Sequence, residues 1–331
     1  MNRERGNSRH HIRMTYHSVA RLGGDSLEGV ARPSVPALTV VAEAGRHVAA
    51  SWREARPVVQ VIFQLRFFAG AAVAAPTGVV PRPAPLLVGA LAWLCATWFV
   101  YLLNGLSDQV EDRRNGSARP LATGMLPVGV ARRIAGCLAG VALLLGAAIS
   151  LRMAALVALM LLLGWLYSAG PRPQKSNMLG FVLVVASGGI VTYLAGCAAV
   201  DGPVGPELLV MMVTMSLWMA LAGTTKDLSD VAGDRAAGRR TLPVLLGDRG
   251  ARRLMAGLVV LAGSVLVAGA LLVAPALAAP AAVLSVGALA VAGCVLTGAG
   301  ATDRRRQRSP YRLFMTSQYA VHLTVLHLFL G

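Results

Sequence analysis

The chain has 331 residues, 56% of them apolar and only 14% charged, against roughly 45–50% and 25% in an ordinary soluble domain. So few charges cannot cover a water-soluble body of this size, which argues against a soluble globular fold and for lipid as the solvent. The net charge of +16, almost all from arginine, fits a membrane surface or an anionic ligand. It does not point to nucleic acid, because base-stacking aromatics interleaved with basic residues are absent.

Residues 1–50 are polar and rich in arginine, without an apolar run before a cleavage site. They read as a disordered basic tail with a short amphipathic patch around Val35–Val41. Residues 51–331 read as one transmembrane domain. Apolar segments fall near 58–80, 85–103, 128–150, 152–168, 178–199, 206–223, 254–274, 276–299 and 310–330, each of a length to cross a bilayer as a helix. The fourth is short, so an earlier start is expected. Only Pro275 separates the seventh from the eighth, which requires a tight turn. Gln318, His322 and His327 interrupt the last. The two histidines, five apart, do not share a helical face and read as core or interfacial residues. Cys95, Cys137, Cys197 and Cys294 each sit singly in an apolar run and read as small buried hydrophobes. The expected fold class is therefore all-α: an integral membrane bundle of about nine transmembrane helices with two Asp-rich cytoplasmic loops.

Orientation follows from the basic residues. If nine spans alternate, 28 of the 31 Lys and Arg fall on one face, and Arg66, Arg82 and Arg152 are the exceptions. The positive-inside rule makes the rich face cytoplasmic and the protein a multi-pass component of the cell membrane.

Two acidic segments carry the chemistry. The first holds Asn104, Asp108 and Asp112, followed by Arg119, Pro120 and Gly124. The second holds Lys226, Asp227, Asp230 and Asp234, followed by Gly238, Thr241, Leu242, Pro243 and Gly247. They superpose at an offset of 122 residues: Leu106-Ser107-Asp108 meets Leu228-Ser229-Asp230, Asp112-Arg113 meets Asp234-Arg235, and Gly116 meets Gly238. Such self-similarity indicates duplicated helical units. Each copy follows an even-numbered span, so both lie on the same face. In a helix, Asn104, Asp108 and Asp112 form one stripe, and Asp227, Asp230 and Asp234 another. Facing carboxylates repel unless a cation lies between them. Hard oxygen donors suit Mg²⁺, which is commonly held by one or two carboxylates together with substrate phosphates. Arg119, Lys226, Arg239 and Arg240 could then hold diphosphate oxygens directly.

At these residues the chain resembles the UbiA superfamily of intramembrane prenyltransferases. Asn104, Asp108, Asp112, Arg119, Pro120 and Gly124 match its first motif, and Lys226 through Gly247 match its extended second motif. Tyr167-Ser168, Pro171 and Lys175 match a third, YSxxPxxxK. The resemblance spans roughly residues 50–331. Gly105 stands where the family usually has Asp, whereas Asp227 fills the equivalent place in the second motif. In the third motif Gly170 and Pro173 replace the usual Pro and Arg, with Arg172 one place earlier.

What the resemblance implies is Mg²⁺-dependent transfer of a prenyl group from a polyprenyl diphosphate donor to a hydrophobic acceptor, aromatic in the commonest case. Asp108, Asp112, Asp230 and Asp234 would bind Mg²⁺ with Asp227 assisting, and Asn104 would ligate a metal or orient a carboxylate. Arg119, Lys175 and Lys226 would bind diphosphate. Tyr167 would line the acceptor pocket or face the cation with its ring, its plain alternative being an interfacial belt tyrosine. A UbiA-type terpene cyclase is the alternative on the same scaffold. A transporter is disfavoured, since Arg66 is the main charge inside a span and the carboxylates cluster at helix ends.

Overall fold

The computed structural model describes residues 37–75 and 82–331. The chain divides into a unit ending at Ala42, of which residues 37–42 are described, and a compact unit, Glu43–Gly331, that holds every span. The helices are α1 (Ala37–Glu54), α2 (Pro57–Ala74), α3 (Pro83–Arg114), α4 (Pro120–Thr123), α5 (Val128–Ile149), α6 (Leu151–Ser168) and α7 (Met178–Ala199). There follow α8 (Pro206–Ala222), α9 (Val231–Ala236), α10 (Leu242–Leu272), α11 (Ala278–Thr297), α12 (Arg304–Gln307) and α13 (Ser309–Leu330). No β-strand occurs among the described residues. Proline stands in the first turn of α2, α3, α4, α8, α10 and α13, where its missing N–H has no helical partner to lose.

Nine helical stretches among the described residues are long and apolar enough to cross a membrane. Their starts and ends show why sequence boundaries drift. The first span ends at Ala74, short of residue 80. The earlier start expected for the fourth is not found: it begins at Leu151, because Ser150 caps it by accepting the Met153 N–H at 3.1 Å. The seventh begins at Leu242, with Gly247 (φ 68°) kinking it. A 3₁₀ turn over Pro275–Leu277 reverses the chain into α11. The disordered tail expected over residues 1–50, with its patch at Val35–Val41, lies outside the described residues as far as residue 36; from Ala37 it is helical instead, as α1.

Helices α2, α7, α8, α10, α11 and α13 pack in a closed circuit, and α3, α5 and α6 pack against one another, α3 and α6 also against α7. Backbones meet where α2 crosses α7. A Cβ on Gly196 would lie 1.9 Å from the Phe67 carbonyl oxygen, and one on Gly70 2.3 Å from that of Tyr193. Lipid tails give helices no hydrophobic reason to associate, so close approach through small residues holds such bundles together. Large exposed apolar side chains such as Leu144, Leu151, Leu271 and Leu272 belong to the lipid-facing surface. Cys95 and Cys197 are buried as expected, but Cys137 is exposed on α5, one of these outward-facing helices.

The two Asp-rich loops are a correction. No proline separates Asn104 from Asp112, and α3 continues through them, Gly105 included, to Arg114. The second segment is also helical, a 3₁₀ turn over Gly223–Ser229 leading into α9. Both copies end alike. Ser117 N–H donates to the Asp112 carbonyl and Gly116 (φ 61°) follows the helix; Arg239 N–H donates to the Asp234 carbonyl and Gly238 (φ 68°) follows it. Both bonds are 2.8 Å long. Positive φ at the residue after a helix is the glycine closure that satisfies its last carbonyls.

Candidate active site

A cavity of about 250 Å³ opens between the two acidic segments and runs inward between α2, α3, α6, α7, α8 and α13. At its mouth stand Asp108, Glu111, Asp112, Asp230, Asp234 and Arg239. Its inner walls carry Phe63, Val100, Leu163, Phe181, Met219 and Phe314. On α3, lining residues extend from Asp112 to Val100, a depth of about 18 Å at the rise of a helix. A charged mouth above an apolar shaft is the shape of an amphiphile with a polar head.

The acidic segments meet through basic side chains. Arg239 lies 2.9 Å from Asp108 Oδ1 and 3.6 Å from Asp234 Oδ1, and it also pairs with Glu111. One guanidinium thus joins carboxylates from the two repeats. Lys175 pairs with Asp108 as well. It is brought there by the short 3₁₀ turn Gln174–Ser176, which the Arg240 N–H ties to the second segment through Ser176 O at 3.0 Å. Arg119 Nη1 donates to Asp112 Oδ2 at 2.7 Å. Lys226 Nζ lies 2.5 Å from Asp227 Oδ1 and 5.0 Å above the Phe181 ring. Arg304 reaches Asp230 at 3.4 Å.

The sequence-predicted residues therefore sort into two sets. Asn104, Asp108, Asp112, Tyr167, Lys226, Asp230 and Asp234 line the cavity. Arg119, Lys175 and Asp227 stand behind it, each paired with a lining residue. Arg172 is exposed, and Arg239 rather than Arg172 brings the guanidinium to the mouth. Glu54, Glu111 and Asn115 were not singled out by sequence. Glu111 has a signal in hindsight, since it stands three residues after Asp108 on the same helix face. Glu54 has none, being remote in the chain from either motif. It is fully buried, pairs with Arg119 at 2.7 Å and accepts the Leu121 N–H at 2.9 Å. Burial pushes its carboxyl above the usual range, against the opposing pull of Arg119.

The donor set fits Mg²⁺. Burial, with the Asp227 charge nearby, pushes the Asp234 carboxyl up to about 6. Its Oδ2 is buried and has no hydrogen-bond partner among the described residues. Such an orphaned carboxylate oxygen calls for a cation. Among the described residues no three acidic, histidine or cysteine side chains converge on one point.

Deep in the shaft, Arg66 lies over the Phe63 ring at 5.4 Å and donates to Gln318 Oε1. His322 is core: it is fully buried, stacked on Tyr193 and bonded through Nδ1 to the Gln318 carbonyl at 2.6 Å.

The UbiA prenyltransferase family profile matches residues 65–320. The chain belongs to this family. As a UbiA-family protein it is a membrane-embedded enzyme of the prenyltransferase class. It is 36% identical over 213 residues to digeranylgeranylglyceryl phosphate synthase of Halobacterium salinarum, covering 62% of this chain and 72% of that protein. It is 28% identical over 177 residues to the diterpene cyclase eriG of Hericium erinaceus, covering 50% of this chain and 53% of that one. A solved UbiA homologue from Archaeoglobus fulgidus, bound to DMAPP and Mg²⁺, superposes with a TM-score of 0.65 at 19% identity, covering 82% of this chain and 99% of that chain. The last likeness carries the fold of the UbiA bundle.

Proposed function

We propose that the enzyme transfers a prenyl group from a polyprenyl diphosphate to a hydrophobic acceptor, an aromatic one, in a Mg²⁺-dependent reaction that releases diphosphate. The observation that carries this reading is the meeting of the two acidic segments, through Arg239, at the mouth of an apolar shaft. Asp108, Asp112, Asp230 and Asp234 are the residues that would hold Mg²⁺, with Asp227 holding Lys226 and Asn104 on the same α3 face as Asp108. When bound, the ion supplies Lewis-acid stabilisation of charge developing on the leaving diphosphate.

The protein's own contribution is placement and exclusion. Lys226 and Arg239 line the cavity, and Lys175 and Arg119 stand behind its carboxylates Asp108 and Asp112; their combined charge would favour departure of a diphosphate head. The apolar walls keep water from the allylic cation that departure leaves. Tyr167 and Phe181, with ring centroids 6.3 Å apart, both line the cavity, where an aromatic wall can stabilise that cation or stack an aromatic acceptor. The dense basic face and the mouth are proposed to be cytoplasmic.

A second reading, intramolecular capture of the cation, is supported by the similarity to a diterpene cyclase and by the enclosure of the shaft. Product analysis separates the two. Purified protein in detergent, given allylic diphosphates with and without aromatic acceptors, should yield a prenylated acceptor and little terpene from donor alone. A cyclised hydrocarbon or alcohol from donor alone would transfer the assignment to the cyclase.

A further inference from the structure

Gly105 is the residue that breaks the match between the repeats. Its counterpart at the 122-residue offset is Asp227, which is buried and holds the cavity-lining Lys226 at 2.5 Å. Position 105 has no side chain to do the same for a base of the first segment. Yet the space beside it is filled by a carboxylate. A Cβ built on Gly105 would lie 2.2 Å from Glu54 Oε1 and 2.9 Å from Arg119 Nη2.

Glu54 is the last residue of α1, outside both repeats. Its Oε1 pairs with Arg119 Nη2 at 2.7 Å, and its Oε2 accepts the Leu121 N–H at 2.9 Å. The other terminal nitrogen of Arg119 donates to Asp112 Oδ2 at 2.7 Å. The planar guanidinium is thus clamped between a buried carboxylate behind and a cavity carboxylate in front. Resting on the Mg²⁺–diphosphate reading of the site, we propose that Glu54 supplies from α1 the carboxylate that position 105 lacks, and acts as a positioning residue that holds Arg119 and, through it, Asp112.

The physical case is one of matched volumes and charges. The missing side chain at 105 is what admits the Glu54 carboxylate, so the two positions form a complementary pair. Without Glu54, Arg119 would be left with one carboxylate, Asp112, to neutralise it. Both of its terminal nitrogens would then compete for Asp112, the group needed for the metal. With Nη2 held from behind by the Glu54 carboxylate and by its backbone carbonyl at 3.3 Å, the guanidinium turns only Nη1 toward Asp112. The Leu121 N–H would lose its buried acceptor as well. An Asp at 105 would start where the Glu54 carboxylate ends, beside the same guanidinium.

The test is an exchange of the carboxylate between the two positions. Thermal unfolding of the metal-free protein in detergent would be measured for wild type, Glu54→Ala, Gly105→Asp and the double variant, with Glu54→Gln as the milder single change. Mg²⁺-dependent binding of a non-hydrolysable allylic thiolodiphosphate would be measured on the same set by calorimetry. Each single change should lower the unfolding midpoint, Gly105→Asp by crowding two carboxylates. Each should also weaken binding by about tenfold or more, as expected when a buried charge pair is broken. The double variant should recover most of both losses. Losses in the double variant that simply add would overturn the proposal, as would unchanged binding in Glu54→Ala and Glu54→Gln. If wild-type protein did not bind the analogue, the reading of the site would fall, and the unfolding cycle alone would decide whether Glu54 and position 105 are paired.

Discussion

Asp234 is the acidic side chain at the mouth whose environment most favours its neutral form. Its folded-state value of about 6 lies above the ordinary 3.8. In metal-free protein its contribution to stability is therefore full below pH 3.8 and fades as pH rises to about 6. Metal binding runs the other way, because a ligand must lose its proton first. Apparent Mg²⁺ affinity should fall about tenfold between pH 7 and pH 5 if this one carboxyl controls it. Titration at several pH values checks this. Asp234→Asn should weaken binding overall and flatten the dependence. Residues such as Asp108, Asp112, Asp230 and Asp234 were legible in the sequence because a duplicated spacing announced them. Glu54 and Arg239 were harder. Glu54 reaches the site only by tertiary approach to Gly105, and Arg239 was one basic residue among several until the structure set it between Asp108 and Asp234.

At the scale of elements, hydropathy located every span because lipid imposes one requirement on each helix. It did not locate the ends of α3 and α10, where polar residues continue the helix beyond the apolar run. That is why the first acidic segment was expected as a loop: Asp and Asn mark turns in soluble proteins, yet at i, i+4 spacing without a proline they continue α3 through Gly105. The α2–α7 crossing yields a sharp expectation. Gly196→Ala should cost about 1–3 kcal/mol or more, since its Cβ would strike the Phe67 carbonyl. Gly136→Ala on α5, with nothing within 4 Å of its Cβ, should be neutral. Thermal denaturation in detergent compares them. At the deep end of the shaft, Arg66 bonds Gln318 across α2 and α13. Its guanidinium is a charge within the otherwise apolar lining, so Arg66→Leu should shift preference toward longer donors, read by competition between donors of graded length.

Over the whole molecule, the repeats explain how one site forms from two segments 122 residues apart. An even number of crossings lies between them, so α3 and α9 bring their carboxylates to the same end of the bundle. The basic residues concentrate at that end, where anionic lipid headgroups and an anionic substrate head share the same preference. Cysteines introduced at Ser117 and Gly205 should therefore react from opposite sides of the membrane, Ser117 from the cytoplasm. Labelling of both from one side would contradict the nine-span arrangement. The repeat and the charge asymmetry were both legible in the sequence. The depth of the shaft and the identity of its floor were not, because they depend on how α2, α7 and α13 tilt against one another.

The central claim is that both acidic segments act together on a Mg²⁺-bound prenyl diphosphate. Diphosphate release by the purified protein, with a panel of allylic donors and candidate acceptors, tests it most directly. The account predicts release that requires Mg²⁺, stops on chelation, and is lost in Asp108→Ala and in Asp230→Ala separately, with both variants still folded. Folded wild-type protein that releases no diphosphate from any donor would contradict it, as would release that survives either substitution.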